Sequence, residues 1–372
     1  MIDIINGIWP FLVVITIIVF FHELGHYWVA RRNGVRVEVF SIGFGTEIAG
    51  WTDGAGTRWR LSLVPLGGYV KMFGQGAPES DSTQLSREEH AISFQTKSVG
   101  QRFAIVLAGP LANFILSIVL FAGLFFLVGQ NQTLPRAGEI IEGSAAERGG
   151  MVAGDLITAI DGTSIEAFQD LQFIVSTNPG VPLVFNVLRD GETVNLVIAP
   201  DIVMEDDGFG NQRETGRLGI MLTAANIVVE RLGPVEALWE GARETWRWCL
   251  RIFDFLGKIF EGSQSSRDLA GPLGIAHVSA GFAELGVASL VLFMAILSVN
   301  LGLINLFPIP LLDGGHLMFY TFEFLFGRPL GARAQEMCQL VGIGLVGALF
   351  LFVTFNDLLR LGLFDIFHEL AS

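Results

Sequence analysis

Residues 22–26 read His-Glu-Leu-Gly-His. Positions i and i+4 of a helix share a face, so His22 and His26 can offer two imidazoles to one divalent cation. Glu23 lies beside them, where a carboxylate can act as general base on a water at that metal. The donor set suits zinc, and a catalytic zinc site takes three protein ligands and keeps one position open. A further ligand is therefore needed. Few side chains in the apolar part of the chain qualify. Asp313 stands out, in the run Asn305-Leu306-Phe307-Pro308-Ile309-Pro310-Leu311-Leu312-Asp313-Gly314-Gly315-His316, and His316 is the reserve ligand.

The elements that must position these groups are apolar. Of 372 residues, 51% are hydrophobic and 16% charged, and the mean hydropathy is +0.54. A soluble chain of this length needs a more charged surface. A spanning helix needs about 20 mostly apolar residues, and four stretches qualify: 8–30, 103–128, 287–306 and 338–355. The apolar stretch 317–326 is shorter and suits an interfacial or re-entrant piece. The first stretch resembles a signal-peptide core, but no basic residue precedes it and no small-x-small cleavage site follows, so it reads as a retained helix.

His22, Glu23 and His26 thus fall in a membrane span, where ionisable groups are costly and default to a functional reading. The competing reading is a helix end whose polar residues snorkel to the interface. Gly25 costs helix propensity but leaves room for another backbone to approach. Pro308 and Pro310 break the helix at the end of the third span. Unwound backbone at membrane depth is tolerated only when buried in protein or lining a cavity. That places Asp313 at a depth similar to His22 and His26, although Asp-Gly-Gly is also an ordinary turn sequence.

Arg31, Arg32 and Arg36 follow the first span, Lys97 and Arg102 precede the second, and Arg328 and Arg333 separate the third from the fourth. The positive-inside rule assigns all three groups to the cytoplasmic side, which leaves both termini and residues 130–224 outside the cytoplasm. That segment carries 14 acidic and 5 basic residues, a net charge of −9 within the chain total of −14. Its charge excludes binding to nucleic acid or to anionic lipid heads. Cys249 and Cys338 are too few for a disulfide framework.

The fold class expected is an α-helical polytopic membrane protein with about four transmembrane helices, a small membrane-associated β-sheet and an inserted α+β PDZ-like domain. Residues 1–34 form the first span and 35–75 a β region, since Val35, Val37 and Val39 alternate with Arg36 and Glu38. A polar cytoplasmic loop covers 76–102, and the second span covers 103–129. The compact α+β module takes 130–201, with turn signals at Asp161-Gly162 and Asp190-Gly191 and a helix over 167–176. A polar, flexible connection follows over 201–217. Linker and amphipathic helix occupy 202–285, the helix at 234–260 lying in the membrane interface or packing on the module. The last two spans and the Asn305–Asp313 motif occupy 286–372.

Taken together, the HExxH pattern, Asn305-Leu306-Phe307-Pro308-Ile309-Pro310-Leu311-Leu312-Asp313-Gly314-Gly315 and the module between spans two and three resemble the site-2 protease family. The resemblance is strongest to the bacterial sigma-E regulator type. Supporting marks are Gly43-Phe44-Gly45, Pro65-Leu66-Gly67-Gly68-Tyr69-Val70-Lys71, Ala108-Gly109-Pro110-Leu111-Ala112-Asn113 and Gly271-Pro272-Leu273-Gly274-Ile275.

This resemblance implies one Zn²⁺ per chain on His22, His26 and Asp313, with Glu23 activating water and Asn305 holding substrate or the developing oxyanion. From chemistry alone Asn305 could equally be a helix-packing amide. The resemblance also implies hydrolysis of peptide bonds within transmembrane proteins already trimmed by another protease, in a bacterial inner membrane. The β region would pair with an unwound substrate strand.

Residues 143–162 resemble a bacterial-protease PDZ domain, which binds peptide, filters substrates by size or is a plug. Close relatives of that type carry two such modules, whereas 200–234 is too short for a second. The alternatives to proteolysis are a non-catalytic PDZ-bearing membrane scaffold and a metal transporter. His90, His277 and His368 read as surface or interfacial residues, His277 beside a loop at 271–275.

Overall fold

The computed structural model describes residues 2–75, 85–165, 168–206, 212–223, 226–261 and 270–360. The chain divides into two compact units, Met1–Leu124 with Pro234–Ser372, and Phe125–Gly233.

The first unit opens with helix α1 (Ile2–Arg32), whose last-turn arginines Arg31 and Arg32 complement the negative end of the helix dipole. Strands β1 (Val37–Thr52) and β2 (Arg58–Met72) are long and fold back on themselves. Residues 39–42 face 58–61 on one side and 68–71 on the other, while 49–52 face 58–61 across the hairpin. Four strand segments therefore lie side by side, with 68–72 at one edge. The reversals sit at Gly43, Gly45 and Gly67, all at positive φ, where a side chain is strained.

The sheet is anchored to α1 by Asp53. Its carboxylate accepts hydrogen bonds from the Trp59 indole (2.9 Å) and the Tyr27 hydroxyl (3.2 Å), Tyr27 being the neighbour of His26. Helix α2 (Arg87–Ile92) begins with a capping box between Ser86 and Glu89. Part of the expected polar loop, 76–84, lies outside the described residues. Helix α3 (Val99–Leu127) follows.

In the second unit β3 (Gln130–Thr133) pairs with a later strand near Gly233. Then come β4 (Glu139–Ile140), α4 (Ala145–Arg148), β5 (Leu156–Ile160), β6 (Thr163–Ser164), α5 (Phe168–Thr177), β7 (Leu183–Arg189) and β8 (Glu192–Ile198). The four-stranded sheet runs in the order β6-β5-β7-β8. The two turn signals are hairpin turns with both residues at positive φ: Asp161 and Gly162, Asp190 and Gly191. The core is built from Ile157, Ile160, Phe185 and Val187 of the sheet with Leu171 and Val175 of α5.

The stretch read as a flexible connection is instead an antiparallel hairpin, β9 (Asp201–Asp206) and β10 (Gln212–Arg217). Its high polarity hid the alternation, yet Thr215 is buried and bonds the Ser176 carbonyl. Strands β11 (Ile220–Met221) and β12 (Ile227–Glu230) close the unit against β4 and β3.

Back in the first unit, α6 (Pro234–Phe260) has three faces. Gly241 lies so close to the Ile118 carbonyl that a Cβ there would be 2.7 Å away, so this face packs on α3. Trp239, Trp246, Leu250 and Phe253 are exposed on a second face. Glu240, Arg247, Glu244 and Arg251 form an ion-pair ladder on the third.

Helix α7 (Pro272–Glu284) occupies what was read as a loop at 271–275, and His277 is exposed on it. It packs along α1. Helices α8 (Val287–Leu306), α9 (Asp313–Phe326) and α10 (Ala332–Arg360) complete the unit. Among the described residues, four helices are long and apolar enough to cross a membrane: 8–32 of α1, α3, α8, and 333–359 of α10.

Candidate metal centre

The site begins with a close helix crossing. A Cβ on Gly25 would lie 2.3 Å from the Ala108 carbonyl oxygen, so α1 and α3 touch backbone to backbone there. Gly25 therefore makes the close approach expected of it. A Cβ on Gly109 would lie 2.3 Å from His26 Nε2 and 2.9 Å from His22 Cε1. The two imidazoles thus rest on the bare backbone of α3, and both histidines are 8% exposed. Neither Gly109 nor its role was legible in the HExxH pattern, because it belongs to another helix.

The same stripe of α3 holds the rings. His26 Nδ1 donates to the Ile105 carbonyl oxygen at 2.9 Å. A carbonyl can only accept, so the proton sits on Nδ1 and the Nε2 lone pair is free. His22 Nδ1 lies 3.2 Å from the side-chain amide of Asn113. Ile105, Gly109 and Asn113 are spaced by four, matching the spacing of His22 and His26 on α1.

Asp313 arrives from the other end of the unit. Pro308 and Pro310 end α8 and force the turn 307–312, and α9 restarts at Asp313. Gly314 and Gly315 seat this start against the turn, since Cβ atoms there would lie 2.2 Å from the Phe307 carbonyl and 2.4 Å from that of Ile309. Asp313 Oδ2 lies 3.2 Å from His22 Nε2 and 3.4 Å from His26 Nε2, and the two Nε2 atoms are 3.3 Å apart. Among the described residues these three form the one cluster with metal-ligand spacing.

The triangle fits zinc. Two ligands at 2.0–2.1 Å on a tetrahedral centre are separated by about 3.3–3.4 Å. Asp313 Oδ2 is buried and has no hydrogen-bond partner, although two ring nitrogens face it. Buried polar atoms are almost always satisfied, so a buried carboxylate oxygen left without a partner between two imidazole nitrogens marks a cation site. His316 lies on α9 near Asp313 but outside this triangle, its ring packed edge-on against Phe319 at 6.3 Å.

Glu23 points to the β-sheet side of the cluster. The Val70 backbone lies near its carboxylate, and a Cβ on Gly68 would lie 3.3 Å from its Cγ. The edge segment 68–72 therefore runs directly past the carboxylate. Asn305 is partly buried at the end of α8, and its amide has no hydrogen-bond partner among the described residues.

Comparison with known proteins agrees with this geometry. The profile of Peptidase family M50 matches residues 10–349. The chain belongs to peptidase family M50. Among relatives, a protein of Agrobacterium fabrum named as a zinc metalloprotease is 43% identical over 356 residues, covering 94% of each chain. A protein of Rhizobium meliloti with the same designation is 42% identical, covering 94% of this chain and 95% of its own. The metalloprotease MmpA of Caulobacter vibrioides is 35% identical over 389 residues, covering 97% and 96%. Membership of M50, the site-2 protease family, makes this chain a metallopeptidase with zinc as its metal.

Proposed function

We propose that this M50 protein is an intramembrane endopeptidase that holds one zinc on His22, His26 and Asp313 and hydrolyses peptide bonds within transmembrane segments. The observation that carries the reading is the orphaned Asp313 Oδ2 facing two imidazole nitrogens at zinc-ligand spacing, next to a helix apolar enough to span a bilayer. Zinc held by His22, His26 and Asp313 would supply Lewis acidity for amide hydrolysis and acidify a water.

The chain's own residues supply the rest. Glu23 accepts the proton of the attacking water and returns it to the leaving amine. The Asn305 amide, with its N–H groups free, donates to the developing oxyanion. Segment 68–72 is a sheet edge beside Glu23 and leaves its outer side open to pair with an extended substrate strand. A transmembrane helix must unwind before its carbonyl is open to attack, and added-strand pairing stabilises that unwound form.

The second unit fits a PDZ-like role. A cavity of about 300 Å³ lies between α5 and the chain 215–220, lined by Leu171, Val175, Gly216, Leu218 and Ile220. An apolar groove between a helix and an extended segment suits one end of a trimmed peptide. By the positive-inside rule this unit and both termini lie on the periplasmic side of a bacterial inner membrane, with the zinc toward the cytoplasmic half. Substrates are membrane proteins already cut by another protease, such as anti-sigma factors or remnant signal peptides, and nucleic acid is not a partner.

The test compares wild type with Glu23→Gln on single-span model substrates, cut sites being mapped by mass spectrometry. The expected result is cleavage inside the apolar segment by wild type and a loss of at least about 100-fold in Glu23→Gln, with zinc retained. Full cleavage by the variant would remove Glu23 from its role. Cuts confined to soluble loops would overturn the intramembrane reading.

A further inference from the structure

His26 and His22 are held differently, and the difference assigns a role to Asn113. The His26 partner, the Ile105 carbonyl, fixes the tautomer that leaves Nε2 free for a metal. His22 must adopt the same tautomer, because its Nε2 is the atom that faces Asp313 at 3.2 Å. Its Nδ1 must then carry a proton and needs an acceptor. The group within reach is the Asn113 side chain, 3.2 Å away and fully buried. As placed, the amide turns its nitrogen to Nδ1 and leaves Oδ1 buried without a partner. The two ends of a primary amide have the same shape, and a half-turn about χ2 exchanges them.

We propose that Asn113 is a positioning residue for the metal site: Oδ1 accepts the Nδ1 proton of His22, fixing the ring with its Nε2 lone pair toward the cation. Asn113 and Ile105 then form a matched pair on one stripe of α3, one acting through a side chain and the other through backbone, each anchoring one imidazole of α1. The helix itself is held in register without the amide. The Ser298 hydroxyl donates to the Asn113 main-chain carbonyl at 2.8 Å, and Gly302 of α8 leaves room for the Asn113 Cβ. Replacing the side chain therefore removes the ring anchor while leaving the helix contact in place. Partners that orient a metal-bound imidazole are typically worth 10–100-fold in metal affinity.

This inference rests on the zinc site proposed above, and the experiment separates the two. Zinc affinity of the full-length chain in detergent is measured by competition with a chromophoric chelator for wild type, Asn113→Leu and Asn113→Asp. Melting of each metal-free protein is recorded alongside. Aspartate keeps an acceptor at the same reach but has no amide hydrogens. The expected result is zinc binding weakened about 10–100-fold in Asn113→Leu and within about threefold of wild type in Asn113→Asp. Zinc binding by Asn113→Leu equal to wild type overturns the role of Asn113 while leaving the zinc site standing. Loss in Asn113→Asp as complete as in Asn113→Leu overturns the acceptor assignment, whatever the melting temperatures. A wild type that takes up no zinc overturns the site itself and the inference with it.

Discussion

The metal cluster depends on what is missing at position 109 as much as on what is present at 22, 26 and 313. Gly109 brings the α3 backbone within van der Waals distance of both imidazoles, and Gly25 lets α1 come equally close to α3. A single methyl group in Gly109→Ala must push His26 Nε2 off the triangle or part the helices. The expected outcome is a fall in zinc affinity on the order of 10–100-fold, comparable to losing an orienting partner, with helical content by circular dichroism unchanged. Full zinc occupancy in that variant would show that the rings have more freedom than the close contacts allow.

Much of this site could be read in the sequence. HExxH encodes its own geometry through helical periodicity, and the two prolines announced the broken helix that carries Asp313. Gly109 and Asn113 stand in a stretch that marks the family resemblance, but their roles could not be read, because their partners lie on α1, more than 80 residues away. His316, three residues after Asp313, stays outside the ligand triangle with its ring against Phe319.

Helix α7 shows how an element can be hidden. Its first residues, Gly271-Pro272-Leu273-Gly274, read as a loop, although proline at the first helical position is also a helix start signal. The cap comes from elsewhere: buried Asp357 on α10 accepts from the Gly271 N–H at 3.0 Å and the Gly274 N–H at 2.8 Å. A side chain 86 residues distant does the work an N-cap usually does. Asp357→Ala should therefore cost about 1–2 kcal/mol locally, seen as faster amide exchange in α7 while α3 and α8 are unaffected. Unchanged exchange in α7 would show that packing against α1 holds the helix unaided.

The long helices were legible because apolar length is a local property, as was α6, whose charged and apolar stripes repeat at helical spacing. The hairpin β9–β10 was not, since its pairing satisfies backbone groups without an apolar run to mark it.

At the scale of the whole molecule the two units have different physics. The first is held by close backbone approach and apolar faces. The second folds around an ordinary core and carries a buried ion pair. Asp155 is 1% exposed, and Arg189 reaches it with Nε and Nη2, both at 2.7 Å. Burial works to raise the Asp155 pKa, but the Arg189 hydrogen bonds and the Val152 N–H outweigh it and hold the carboxyl below its usual range. A depressed carboxylate contributes stability that is present above its unfolded value, about 3.9, and lost as pH falls through the folded value. Protection of the β5, β7 and β8 amides, corrected for intrinsic exchange, should therefore hold from pH 7 to about 4 and fall below it. Asp155→Asn should lose about tenfold in protection at pH 7 and show a flatter acid dependence. An identical acid profile in that variant would assign the acid sensitivity to other groups.

The proposed chemistry turns on one zinc held by two imidazoles and one carboxylate. Zinc K-edge absorption of the purified full-length protein tests it most directly. One zinc per chain is expected, with a first shell of nitrogen and oxygen alone at about 2.0–2.2 Å, and Asp313→Ala should lose it. A sulfur shell at about 2.3 Å, or zinc retained in full by Asp313→Ala, would contradict it.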